Sequence, residues 1–202
     1  MMLVDLSIND FAKKVATSDP VVPAGGCVMA LSGLMGVSLL EMSVDSACGH
    51  LTGEQHPEFF KDSKILLANL REELSSCIEG DATAYQGVLD AYKLPKCTPE
   101  EVKERKAKVQ AAALSAIEVP LKISQACLSA LDPGIAMLPK VKLGVIGDLK
   151  IGLLVLKTGV EGSLAAARIN LSLIYEDAYA KQFQSKINEL QAKYDTLAAK
   201  LK

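Results

Sequence analysis

The sequence has few of the residues that build metal, disulfide and nucleic-acid sites. Its five cysteines are an odd number, widely spaced and without a CxxC pair, and its two histidines, His50 and His56, flank a probable loop. This pattern argues against a zinc site and against a disulfide framework, so we expect no bound metal and reduced thiols, and we assign the histidines no role. The 22 basic and 24 acidic residues nearly balance, which gives no sign of a nucleic-acid-binding surface.

Export and membrane signals are also missing. Residues 1–14 form an amphipathic segment with two aspartates and two lysines, whereas a signal peptide has an apolar core followed by a cleavage site. We therefore predict a cytoplasmic protein. Residues 20–40 carry no charge, but prolines and glycines interrupt the first part. The apolar run that remains is shorter than the ~20 residues that span a bilayer, so we expect a buried helix and no membrane association.

Strand patterns are absent as well. Aromatic residues make up 4% of the chain, period-two alternation is missing, and half of the 202 residues are hydrophobic. Ala, Leu, Lys and Glu dominate the long segments, which favours helices. We therefore predict an all-α protein, a compact bundle of about five to seven helices in one domain over residues 1–202.

The second predicted helix, 27–47, is apolar on nearly every side, as is typical of a helix surrounded by protein. One of its faces carries small side chains at helical spacing: Gly26, Ala30, Gly33 and Val37. Such a face lets another helix approach closely, either inside the chain or at a subunit interface.

The fourth predicted helix has a clear start signal. Thr98 is placed as N-cap, Pro99 as the first helical residue, and Glu101 closes a capping box. Asp132-Pro133-Gly134 predicts its end. Further on, Asp148 follows Gly147 and is predicted to cap the start of a last helical region that runs to the C-terminus.

Asp81 is the first candidate for chemistry. It lies on an otherwise apolar stripe of the third predicted helix, four residues after Cys77 and four before Tyr85. A buried carboxylate either has a partner or has a raised pKa, so Asp81 is interpreted as an acid–base group or as half of a structural ion pair. Arg105 is the predicted partner, since an antiparallel hairpin through residues 94–98 would bring the next helix alongside.

Three further features each allow a structural and a functional interpretation. Gly25 and Gly26 precede a helix, where exposed amides suit a ligand oxygen or simply a tight turn. Cys27 follows them and would have a lowered thiol pKa at a helix N-terminus, although the cysteines otherwise look like small core residues. Asn170 lies among small residues and is either a helix-to-helix hydrogen-bond donor or a ligand contact.

Taken in order, several segments resemble the formiminotransferase-cyclodeaminase C-terminal family, which includes stand-alone methenyltetrahydrofolate cyclohydrolases. The resemblance covers nearly the whole chain. It rests on PAGGCVMALSGLMGVSLLEM (23–42), DATAYQGVLDAYKLPK (81–96), TPEEVKER (98–105), VPL (119–121), GDLKIG (147–152) and RINL (168–171).

The resemblance implies a homodimer that acts on a tetrahydrofolate derivative without a metal or a redox cofactor. The implied activity is that of a formimidoyltetrahydrofolate cyclodeaminase, an ammonia lyase, or of a methenyltetrahydrofolate cyclohydrolase. It also implies a crevice with Asp148 as the main acid–base group and Asp81 as its electrostatic partner. The implied folate-binding residues are Gly25, Gly26, Cys27, Arg105 and Asn170.

Three positions depart from the family pattern. PGGGS is replaced by Pro23-Ala24-Gly25-Gly26-Cys27, the SD pair by Gly147-Asp148, and NVxINL by residues 166–171, AARINL. Alanine restricts the backbone, and a thiol is a poorer hydrogen-bonding group than a hydroxyl. The alternatives are therefore a catalytically impaired folate or small-molecule-binding helical dimer, or a purely structural one.

Overall fold

The structure is a computed structural model that describes residues 2–19, 21–48 and 57–201. Within these ranges all regular structure is helical, which confirms the all-α prediction for them, while His50 and His56 lie outside them. A 3-10 turn at Leu3–Asp5 precedes six α-helices. They are α1 (Ile8–Val15), α2 (Gly25–Cys48), α3 (Pro57–Lys93), α4 (Pro99–Met137), α5 (Leu143–Leu171) and α6 (Asp177–Ala199).

The start of α4 follows from its local sequence as predicted. The Thr98 hydroxyl accepts the amide hydrogen of Glu101 at 3.2 Å, and the Glu101 carboxylate accepts the amide hydrogen of Thr98 at 3.1 Å. Ser7 caps α1 in a related way by accepting the amide hydrogen of Asp10. These bonds satisfy amides that the first turn of a helix leaves without partners.

Two predicted helix boundaries are wrong. The fourth helix does not end at Asp132-Pro133-Gly134 but continues through it to Met137. A Cβ on Gly134 would come within 2.7 Å of Leu40 and Leu153, so this part of α4 is packed too closely against α2 and α5 to leave the helix. The predicted last helical region is two helices, and the first of them begins at Leu143, so Asp148 lies inside α5 and caps nothing.

The glycine-lined contact of α2 is inside the chain. α2 packs against α3, α4 and α5, so the prediction of a central helix is confirmed. A Cβ on Gly33 would lie 2.6 Å from the sulfur of Cys127 and 3.0 Å from Leu74, and one on Gly159 of α5 would lie 3.6 Å from the Cα of Gly33. The missing side chains let α2 and α5 touch backbone to backbone, which fixes where the two helices cross.

The cysteines and the apolar helices only partly match expectation. Cys27, Cys77 and Cys127 are buried and free, but Cys97 is exposed and is not a core residue.

α2 and α4 are long and apolar enough to cross a membrane by length and composition alone. In the structure, 44% of the most apolar window of α2 and 56% of that of α4 are buried, which agrees with helices that pack inside a bundle.

Candidate functional site

A cavity of about 470 Å³ opens between the N-terminus of α2, the middle of α3 and the C-terminal part of α5. Its volume falls in the range of about 300–1,000 Å³ that is usual for small-molecule sites. We call it the Asp81 cavity. It is lined by Ala24, Gly25, Gly26, Met29, Asp81, Ala84, Tyr85, Ala116, Gly162, Ala165, Ala166, Ile169 and Asn170.

Asp81 is the one carboxylic acid among these lining residues, and its carboxylate rests on the first turn of α2. Oδ2 lies 3.3 Å from the sulfur of Cys27, and the nearby backbone amide of Cys27 also lowers the pKa of the carboxylate. A Cβ on Gly26 would overlap the carboxylate, so residue 26 must be glycine for this arrangement to form. Burial raises the pKa of Asp81, and the hydrogen bonds from Cys27 offset part of that rise.

Asn170 makes the helix-to-helix hydrogen bond that its sequence position allowed. Its Nδ2 donates to the backbone carbonyl oxygen of Ala116 at 2.7 Å, and the residue also lines the cavity. The hydrogen bond ties the end of α5 to α4 and fixes the amide at the cavity wall. A ligand would therefore meet a polar group whose orientation is already set.

Cys27 does not line the cavity. Its side chain is fully buried behind the wall, where the thiol can donate to the carbonyl oxygen of Ile78 or to Asp81, both at 3.3 Å. Burial, followed by the nearby Asp81 charge, raises the pKa of this thiol to about 12. The prediction of a lowered pKa is wrong, because desolvation outweighs the amides of the helix N-terminus.

Arg105 does not pair with Asp81, so that prediction is wrong. Nε and Nη2 donate to the backbone carbonyl of Tyr92 at 3.3 and 3.1 Å, and the guanidinium carbon lies 5.4 Å from the centre of the Tyr92 ring. The α3–α4 hairpin therefore sets residue 92 opposite residue 105, which puts Asp81 opposite Ala116. Arg105 precedes Ala116 by 11 residues in α4, which is about 17 Å along the helix axis.

Asp148 is also outside the cavity. It is exposed near the start of α5, and the first lining residue of that helix, Gly162, is 14 residues or about 21 Å away along the axis. The crevice implied by the resemblance therefore forms only in part within one chain. Gly25, Gly26, Asp81 and Asn170 meet there, Cys27 lies behind the wall, and Arg105 and Asp148 are absent.

Sequence reasoning missed the apolar part of the lining. Met29, Tyr85 and Ile169 supply most of its large side chains. Tyr85 could have been found, because it follows Asp81 by one helical turn and faces the same way. Among residues 2–19, 21–48 and 57–201, no group of three or more His, Cys, Asp or Glu side chains is arranged to hold a metal ion.

Comparison with known proteins gives one family. The profile of the formiminotransferase-cyclodeaminase family matches residues 7–189. The methenyltetrahydrofolate cyclohydrolase of Methylorubrum extorquens is 30% identical over 194 residues, which cover 95% of this chain and 91% of that protein. The formimidoyltransferase-cyclodeaminase of Mus musculus is 30% identical over 198 residues, or 98% of this chain, but the match spans 36% of the mouse protein.

The fold is similar to that of a solved structure. The crystal structure of formiminotetrahydrofolate cyclodeaminase from Thermotoga maritima superposes with a TM-score of 0.85 and covers 98% of this chain and 94% of that chain. The two sequences are 19% identical, so this likeness concerns the fold.

Proposed function

Because the chain belongs to the formiminotransferase-cyclodeaminase family, we propose that it is a folate-dependent one-carbon enzyme whose Asp81 cavity binds a tetrahydrofolate derivative. The names of two relatives at 30% identity, a cyclohydrolase and a cyclodeaminase, support this substrate class. The observation that carries the proposal is the carboxyl group of Asp81, which has a raised pKa in a cavity of ligand size. Perturbed acids in clefts are candidates for acid–base catalysis.

In the cyclodeaminase reaction, N10 of the folate attacks the carbon of the formimino group on N5. Asp81, as the carboxylate, accepts the proton that N10 loses as the new C–N bond forms. The formimino group reacts as its amidinium form, with two hydrogens on the nitrogen, so the attack leaves an amino group on the bridging carbon. Asp81 returns its proton to this amino group, the bond from the carbon to this nitrogen breaks, and ammonia leaves while the methenyl bridge takes up the positive charge. One carboxyl group that changes protonation state twice is sufficient for this sequence.

In the cyclohydrolase reaction, water attacks the methenyl carbon and Asp81 accepts one of the water protons. When the bond from that carbon to one of the two folate nitrogens breaks, Asp81 returns a proton to that nitrogen. The hydroxyl proton passes to solvent and a formyl group remains on the other nitrogen. Neither reaction requires a redox cofactor or a metal, and we propose that the protein uses none.

The remaining residues would bind and orient the ligand. The amides of Gly25 and Gly26 lie in the first turn of α2, where backbone donors suit a carbonyl or anionic oxygen. Asn170 offers its fixed amide at the opposite wall. Arg105 is about 17 Å from Asp81 along the helices, so it would meet the acidic far end of a long ligand rather than the reacting atoms.

Turnover of 5-formimino- and 5,10-methenyl-tetrahydrofolate, assayed side by side on the purified protein, tests this function. We expect turnover of at least one of them and saturable binding of a reduced folate. If a reduced folate binds but neither compound is turned over, the proposal of an enzyme is contradicted and the alternative, a catalytically impaired folate-binding protein, is favoured. No binding at all would contradict both and leave a structural role.

We also propose that the protein is a homodimer, because α2 and α5 carry an apolar outer surface. Large apolar side chains on these two helices are 40–70% exposed. They are Met35, Met42, Ile151, Leu154 and Ile169. Exposed apolar surfaces of this kind mark protein interfaces.

Leu154→Lys should therefore convert a dimer into a monomer, because it places a charge in the middle of this surface. Sedimentation velocity on the purified proteins measures the change. Ile8→Lys is the matched control, since Ile8 is 83% exposed on α1, away from the surface. A monomeric unsubstituted protein, or a Leu154→Lys variant that stays dimeric, would contradict the interface; a protein that needs detergent would point to a membrane instead.

Asp148 can contribute to a cavity only from a second chain. An antiparallel pairing of two α5 helices about their midpoint, residue 157, would set Asp148 of one copy near Ala166 of the other, at the cavity wall. We propose that Asp148 acts there as the supporting carboxylate and Asp81 as the acid–base group, the reverse of the roles that the resemblance implies.

Asp148→Asn should then lower turnover without lowering stability, because Asp148 caps no helix and is exposed. Mixed dimers of Asp81→Asn and Asp148→Asn chains should regain activity, since one of their two sites would be intact. Full activity of the Asp148→Asn protein, or no recovery in the mixed dimers, would exclude the shared site.

We also propose that the protein functions in the cytoplasm. Cys27, Cys77, Cys97 and Cys127 form no disulfide in the structure. Reduced thiols agree with function in the cytoplasm.

A further inference from the structure

Among the described residues, Cys27 is the one fully buried polar contact of Asp81. The sulfur is 3.3 Å from Asp81 Oδ2 and 3.3 Å from the carbonyl oxygen of Ile78. A thiol carries a single hydrogen, so it can donate to one of these acceptors at a time. Rotation about the Cα–Cβ and C–S bonds decides which one receives it.

In this geometry the thiol can hydrogen-bond to Asp81 in both protonation states of the carboxyl group. When Asp81 is ionised, its carboxylate is the stronger acceptor and the thiol donates to it. When Asp81 is protonated, the thiol hydrogen can turn to Ile78, and the sulfur can then accept the hydroxyl hydrogen of the acid. No proton leaves the thiol in either case, since its pKa of about 12 keeps it protonated.

We propose that Cys27 is a positioning residue that holds the Asp81 carboxyl group in place in both of its protonation states. The proposal rests on the proposed function, because acid–base catalysis requires Asp81 to change its protonation state. It also explains how a cysteine works where the family pattern has serine, since both side chains are small rotatable donors and acceptors.

The other surroundings of Asp81 leave this role to Cys27. Its own helix contributes Tyr85 to the cavity and, one turn earlier, the buried thiol of Cys77. α4 contributes the uncharged Ala116, and α5 contributes uncharged residues including Gly162 and Asn170. No ion pair among the described residues involves Asp81, so its pKa depends on burial and on the hydrogen bonds from Cys27.

Three variants test the proposal: Cys27→Ala, Cys27→Ser and, as a control, Cys127→Ala. Cys127 is equally buried but has no contact with Asp81, so its truncation removes core packing without touching the site. The first readout is the titration of the Asp81 carboxyl carbon by NMR without substrate, assigned with Asp81→Asn. The second is the pH dependence of kcat/KM.

Cys27→Ala should raise the pKa of Asp81 and move the acidic limb of the pH profile upward, because the ionised form loses a donor. kcat should fall roughly tenfold with less change in KM. Cys27→Ser should keep the unsubstituted profile, and Cys127→Ala should lower thermal stability only. An unchanged Asp81 titration in Cys27→Ala, equal effects of both alanine variants, or a serine variant that behaves like alanine would overturn the proposal.

The NMR titration separates this proposal from the proposed function. If the unsubstituted protein turns over no folate, the function fails, while the titration still shows whether Cys27 controls Asp81. If folate turnover is present and the titration does not respond to Cys27→Ala, the positioning role alone fails.

Discussion

Asp81→Asn should lower folate turnover by roughly 10²-fold or more, because it removes the group that accepts and returns the proton. Asparagine has nearly the same shape and its side-chain oxygen can still accept the thiol hydrogen of Cys27, so the contact with the first turn of α2 should remain. Binding of a reduced folate should therefore change far less than kcat. Steady-state kinetics and saturation binding on the same preparation measure the two effects.

The same substitution should make the folded protein at least as stable at neutral pH. Burial raises the pKa of Asp81 in the folded protein above the ordinary value of 3.8 that applies to the unfolded chain. Between pH 3.8 and the folded pKa, the folded protein therefore holds a proton that the unfolded chain has released. The free energy of unfolding therefore falls as the pH rises through the folded pKa. Asparagine cannot ionise, so the Asp81→Asn protein should be more stable than the unsubstituted protein at pH 7 but not below pH 3.8. Thermal unfolding of both proteins at the two pH values measures the difference.

Asp90→Asn is the control for both effects. Asp90 lies on the same helix but is exposed, and its carboxylate bonds to Lys93 and Gln86 outside the cavity. This variant should keep full turnover. Normal turnover by Asp81→Asn, or a loss of turnover that follows a loss of stability, would contradict the role of Asp81.

Gly33→Leu should destabilise the fold strongly. A Cβ at this position already lies 2.6 Å from Cys127 and 3.0 Å from Leu74, and the leucine side chain must extend beyond it. Over-packing of this kind costs about 1–3 kcal/mol or more, because neighbouring side chains and backbones must move. The free energy of unfolding from urea denaturation measures the loss.

Gly87→Leu is the matched control, because Gly87 is also a helical glycine but its Cβ would meet no atom within 4 Å. Leucine is the better helix former, so this variant should be as stable as the unsubstituted protein or more so. Equal stability of the Gly33 and Gly87 variants would show that the α2 contact is not tightly packed.

Features set by a few neighbouring residues could be predicted from the sequence. The capping box of Thr98 and Glu101 is such a feature, since all of its donors and acceptors lie within four residues. The small face of α2 is another, because helical spacing fixes which residues share a face. Spacing does not identify the neighbour of that face, so the sequence allows both an internal and a subunit contact.

Features that depend on packing could not be predicted in the same way. Pro133 and Gly134 are helix breakers locally, yet α4 continues because Gly134 is packed against Leu40 and Leu153. The pairing of Asp81 with Arg105 failed for a simpler reason. Counting outward from a turn at residues 94–98 sets Asp81 opposite about residue 111 and Arg105 opposite about residue 87, which already excludes the pair.

The candidate site shows the same division. Asp81 and Asn170 were identified because a polar residue on an apolar helical face is conspicuous in the sequence. The pKa of Cys27 was predicted in the wrong direction, since the sequence shows its helix N-terminal position but not its complete burial. The position of Asp148 depends on where α5 begins, and no local signal marks Lys142 as that boundary.

The most direct test of the central claim is a crystal structure of the protein with 5-formyltetrahydrofolate, a reduced folate bearing a one-carbon group. We predict that the folate ring occupies the Asp81 cavity, with its N5 substituent or N10 within about 2.6–3.2 Å of the Asp81 carboxyl group or one water away. A folate bound at saturation elsewhere on the protein, with the Asp81 cavity empty, would contradict the account.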